Sequence, residues 1–96
     1  MLMDLHVTRN IQFTQLIKAP MQNREFNFRR IPNTPEKTFH VDVSDDKANR
    51  IIFRMIKPEG SNWKISEQWL PKWIVDVESK LNETIDQVMV EKYPGE

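Results

Sequence analysis

Ninety-six residues make one domain, residues 1–96, with room for a single modest core. Apolar residues at 39% and charged residues at 29% exclude a disordered or membrane-embedded composition, and the absence of cysteine excludes a disulfide scaffold, thiolate metal sites and thiol nucleophiles. Formal net charge is zero but unevenly spread: residues 1–64 hold 11 Lys+Arg against 7 Asp+Glu, and residues 65–96 hold 3 against 7, so a mildly basic first part precedes an acidic last part.

The opening residues lack the basic and long apolar regions of a signal peptide. No apolar run exceeds three residues, where a membrane span needs about 20. A cytoplasmic protein is the expectation.

Residues 5–18 show period-two alternation, with Leu5, Val7, Ile11, Phe13 and Ile17 on one parity and His6, Gln12, Thr14 and Lys18 on the other. Thr8-Arg9-Asn10 is a possible interruption, so one bent strand and two pieces both fit. A turn at residues 20–23 leads to a second strand over 24–31, with Phe26 and Phe28 on one side and Glu25, Asn27 and Arg29 on the other. Arg30-Ile31 breaks that parity and suggests a bulge or a strand end. Pro32 and Pro35 mark a loop.

Residues 38–43 form the cleanest strand: Phe39, Val41 and Val43 face in, His40 and Asp42 face out. A polar connection over 44–49 precedes a fourth strand, 50–57, with Ile51, Phe53 and Met55 inward and Ile52, Arg54 and Ile56 outward. The turn signal at residues 58–62 folds a short fifth strand, 63–65, back beside the fourth.

The last element reads as one amphipathic helix over residues 70–91. Ile74, Val77, Leu81, Ile85 and Val88 recur at spacings of 3, 4, 4 and 3, with Asp76, Ser79, Asn82, Glu83, Asp86 and Gln87 opposite. Pro71 fixes the start within the first turn. Leu70 then falls near the N-cap, and Trp69 and Ile74 occupy the positions of a hydrophobic staple. The fold class that follows is α+β: an antiparallel meander of four to five strands, packed on one face by a single C-terminal amphipathic helix.

Catalytic signatures are absent from the sequence. His6 and His40 lie in different strands, and two glycines in all preclude glycine-rich phosphate loops. No nucleophile, base and orienter stand at recognisable spacing, and no cofactor or metal site is expected. Asp42, Asp45 and Asp46 match no calcium-loop spacing and suit turn chemistry. Asn82-Glu83-Thr84 fits the glycosylation sequon but falls inside a helix. Trp63, Trp69 and Trp73 cluster at the strand-to-helix corner, where they seal the core or leave one ring exposed as an anchor.

The outer sheet face is the remaining candidate. By parity it presents Asn27, Arg29, His40 and Arg54, the expected binding residues, beside Gln12, Thr14, Asp42, Ile52 and Ile56. Arginines and amides on an antiparallel sheet suit single-stranded nucleic acid or another anion. The order of sheet then C-terminal helix, with Pro71-Lys72-Trp73 at the helix entry, is similar to the Whirly and positive-cofactor-four group of single-strand DNA-binding proteins. That similarity of element order implies a nucleic-acid-binding sheet and assigns no residues. The expectation is a non-catalytic binding module; the alternative is a protein-interaction or homodimerisation module, using an apolar strip of Leu16, Ile52 and Ile56 on the same face.

Overall fold

The computed structural model describes residues 10–66 and 69–95. The expected first-strand residues 5–9, and residues 67–68 of the expected short turn after the fifth strand, lie outside them. Five strands, β1 (Gln12–Lys18), β2 (Asn23–Ile31), β3 (Lys37–Ser44), β4 (Arg50–Lys57) and β5 (Lys64–Ile65), pair antiparallel in the sequential order β1-β2-β3-β4-β5. A short helix, α1 (Lys72–Val75), and a longer one, α2 (Glu78–Lys92), follow. The meander arises because each connection is too short to reach any strand but the neighbour.

One face of the sheet carries the core. Phe26, Phe28, Phe39, Val41, Val43, Phe53 and Met55 are buried on it against Ile74, Val77, Leu81 and Ile85. Phe13 stacks on Phe28 with ring centroids 4.7 Å apart, and Phe39 meets Trp63 edge-on at 5.2 Å. Aromatic rings in these geometries add attraction beyond the area they bury.

Of the two readings of Arg30-Ile31, the strand end holds and the bulge does not: β2 ends at Ile31, and its register with β3 runs unbroken through Arg29↔His40, Arg30↔Phe39 and Ile31↔Thr38. Arg30 therefore faces inward, half-buried, and its Nε and Nη1 have no described hydrogen-bond partner. The helix is also not continuous. Pro71 is the N-cap of α1, and α1 ends in a tightened turn where the Val77 N–H donates to the Ile74 carbonyl. Ile74, Val75 and Val77 are β-branched and lose rotamer freedom in a helix, which makes this stretch the weak point. The break lets Ile74, Val77 and Leu81 all remain buried. Finally, Trp69 is 87% exposed and makes no staple with Ile74.

The other two tryptophans do hold the corner. Trp63 is buried. Trp73 lies 4.4 Å from the guanidinium carbon of Arg24, a stacked cation–π pair. Arg24 also donates to the Ser44 carbonyl and to Asp46, so one side chain ties β2, the β3–β4 turn and α1 together.

The polar side of α2 is not all solvent-facing. Along β5 and its flanking residues, Ser66 donates its N–H back to the Arg54 carbonyl, and the alternate N–H groups of Trp63 and Ile65 point off the sheet edge. Asn82 Oδ1 accepts from the Trp63 N–H at 2.9 Å, and a Glu78 carboxylate oxygen accepts from the Ile65 N–H at 2.7 Å. These residues stand four apart, one turn of helix, so both reach the same edge. At the opposite edge Lys80 donates to the Lys18 carbonyl of β1. The helix thus joins the two margins of a curled sheet. It also turns the sequon's Asn82 onto β5.

Replacing Glu78 by Ala leaves the Ile65 N–H without its charged acceptor. The expected loss is about 1.5–3 kcal/mol of stability in urea unfolding, with the midpoint falling and the slope unchanged. Leu81→Asp, which puts a charge at a fully buried position, is expected to abolish amide dispersion and cooperative melting altogether.

Candidate functional site

The face of the sheet away from α2 is built row by row from strand register. One row reads Gln12, Arg29, His40 and Arg54 across β1 to β4; the next reads Thr14, Asn27, Asp42 and Ile52. The register that aligns them is set by the β3–β4 turn. Asp45 Oδ1 accepts from the Lys47 and Asn49 N–H groups at 2.9 and 2.8 Å, and Ala48 adopts the left-handed conformation with φ of 65°. The Asn49 N–H is the main force holding the Asp45 carboxyl below its ordinary value. Asp46 goes to Arg24 instead, and Asp42 points to the outer face, so the three acids diverge.

All four expected binding residues meet on this face. Asn27, Arg29 and His40 line a cavity of about 560 Å3, together with Gln12, Thr14 and Asp42. Arg54 stands beside His40 in the row but outside the cavity lining. Arg50 is the residue that sequence reasoning missed. It lines the cavity and shares outward parity with Ile52 and Arg54, two and four residues on, which is the signal that finds it.

Polar contacts cross four strands in the second row. Thr14 Oγ1 donates to Asn27 Oδ1 at 2.7 Å, Asn27 Nδ2 donates to Asp42 Oδ1 at 2.9 Å, and Arg50 Nη2 donates to Asp42 Oδ2 at 3.0 Å. Partial burial works to raise the Asp42 carboxyl, but the hydrogen bonds from Arg50 and Asn27 outweigh it, and the pKa lies below 3.8. Asp42 therefore stays ionised and fixes the Asn27 amide and one arginine in place.

The first row behaves oppositely. Burial, then the charge of Arg54, then that of Arg29, all disfavour the His40 cation, so His40 titrates below 6.5. At neutral pH the row is two arginines flanking a neutral imidazole.

Of the residues expected in an apolar strip on this face, Ile52 and half-buried Ile56 share β4, and Leu16 stands apart from them. Leu16 and Ile52 are exposed, but they sit on β1 and β4, three strand spacings or about 14 Å apart, with Asn27 and Asp42 among the polar groups between. Among the described residues no cluster of metal-ligating side chains forms, and no helix is long and apolar enough to cross a membrane.

No family model, curated protein or solved structure matches the chain. The similarity to the Whirly and positive-cofactor-four group stays one of element order.

His40 provides a pH test. The fold favours its neutral form, so its contribution to stability is present above 6.5 and is lost as pH falls through its lowered pKa. NMR titration of the imidazole is expected to place the midpoint below 6.5, and Arg54→Gln to move it upward.

Proposed function

We propose that the protein is a non-catalytic binding module whose open sheet face takes a polyanion, single-stranded nucleic acid being the class that fits best. One observation carries the reading: Arg29, His40 and Arg54 stand in one cross-strand row on the face that α2 leaves uncovered. The two arginines supply phosphate contacts, and an open face with no described element packed on it admits an extended strand.

Among the described residues no Phe, Tyr or Trp has the outward parity of this face, so base stacking is limited to the His40 ring. Gln12, Thr14 and Asn27 supply hydrogen-bonding groups beside the arginines. Affinity then comes mainly from phosphate neutralisation and is indifferent to sequence. Asp42 is already satisfied by Arg50 and Asn27, so its charge repels an incoming phosphate less than a bare carboxylate would. A bound phosphate offsets the two arginine charges and favours the His40 cation, so binding tightens as pH falls through the range in which His40 protonates.

The test is a titration of labelled oligothymidylate at several salt concentrations. Binding is expected at low salt, with Arg29→Ala and Arg54→Ala each flattening the log K against log salt slope by about 0.7. Absence of binding at low salt, or an affinity unchanged in the double variant, overturns the reading.

A further inference from the structure

The two edges of the sheet are finished differently. At the β5 edge, Asn82 and Glu78 take the outward N–H groups. At the other edge stands β1, seven residues long. Its register with β2 runs unbroken from Gln12 to Lys18, and just before it the Arg30 N–H donates to the Ile11 carbonyl at 2.9 Å. Bonded pairs alternate along an antiparallel ladder. Ile11, Phe13, Gln15 and Ile17 therefore turn their main-chain groups to β2, and Gln12, Thr14, Leu16 and Lys18 turn theirs outward. The Lys18 carbonyl accepts from Lys80, and the Leu16 carbonyl from the Gln15 side chain. Among the described residues the N–H groups of Gln12, Thr14 and Leu16 meet no acceptor.

Strand edges that stay single are guarded by charges, proline or a bulge. β1 has none of these before Lys18: residues 12–17 are Gln, Phe, Thr, Gln, Leu and Ile, in continuous register. Gln12, Thr14, Gln15 and Leu16 are exposed.

We propose that β1 pairs antiparallel with β1 of a second copy of the chain, about a two-fold axis at Thr14. That register sets Thr14 opposite its own counterpart and Gln12 opposite Leu16, bonded through their outward main-chain groups. Phe13 and Gln15 stand opposite each other on the core side, as the non-bonded pair. Each of the three outward N–H groups gains a carbonyl acceptor. No like charges are opposed, Thr with Thr is a favourable cross-strand pair, and a net charge of zero leaves no long-range repulsion between copies. One patch serves both partners, so the contact closes as a dimer. The product is a continuous sheet, five strands from each copy, with both open faces on the same side. The pairing uses main-chain groups and does not rest on the nucleic-acid reading.

A contact between two short strands is small, so the dimer is a weak one, populated at tens to hundreds of micromolar. Sedimentation equilibrium of the full chain, without nucleic acid, is expected to show the mass rising toward twice that of the monomer over this range. Hydrogen exchange reads the edge itself. The Thr14 and Leu16 amides are expected to exchange at least about tenfold more slowly at the top of the range than at the bottom, while those of β3 do not change. Mixed labelled and unlabelled chains are expected to show an intermolecular contact between the Hα atoms of Phe13 and Gln15. Leu16→Pro removes an outward donor and no bond to β2, a change that edge strands accept. It is expected to weaken association at least about tenfold in a protein that still melts cooperatively. Leu16→Thr keeps the donor and is expected to associate within about threefold of the parent chain. A monomer at hundreds of micromolar, Thr14 and Leu16 exchange that does not depend on concentration, or a dimer lacking the Phe13–Gln15 contact overturns the inference. So does undiminished association of folded Leu16→Pro, or an equal loss in Leu16→Thr.

Discussion

Everything in this fold depends on the way α2 closes the sheet. Its apolar stripe fills the concave side through Val77, Leu81 and Ile85, while Glu78 and Asn82 satisfy the N–H groups that β5 would otherwise leave bare. An unpaired strand edge is a template for unwanted association, and an unsatisfied, partly buried N–H is costly. Two side chains one helical turn apart answer both problems. They also fix the helix on one side of the sheet, and so decide which face remains for a ligand.

The open face owes its character to β3. His40 and Asp42, two residues apart on that strand, stand at the centres of two adjacent rows and respond in opposite ways to their surroundings. Asp42 is partly buried but receives hydrogen bonds from β2 and β4, so it holds its charge. His40 is partly buried between two arginines, so it gives its charge up. The face is thus divided into a braced row centred on Asp42 and a basic row centred on His40. Fine placement of both rests on the Asp45 turn, because a one-residue slip in the β3–β4 ladder would send His40 and Asp42 to the core side.

Arg24 illustrates how a charged residue is used inside the packing. It has inward parity at the end of β2, stacks on Trp73 and reaches the β3–β4 turn through Ser44 and Asp46. Its planar guanidinium serves as an apolar surface to the indole and as a donor at its rim, which a lysine at that position does not reproduce. The helix entry is therefore pinned by an arginine in place of the expected Trp69–Ile74 contact.

Strand order, the inward set from Phe26 to Met55 and the outward set of Asn27, Arg29, His40 and Arg54 were legible in the sequence, because side-chain parity is a local property of an extended backbone. The amphipathic helix was legible for the same kind of reason. Its break at Asp76-Val77 was not, since a 3,4-spaced stripe looks alike whether the helix is whole or tightened once. Parity likewise said nothing of Glu78 and Asn82, whose polar type suggested solvent. The sequence by itself determined which side chains share a face. Only the tertiary structure decided who their partners are: Asp42 with Arg50, Asn82 with the Trp63 N–H, Lys57 with Asp86. Those pairings depend on ladder register and helix docking, which bring together residues 8 to 29 positions apart.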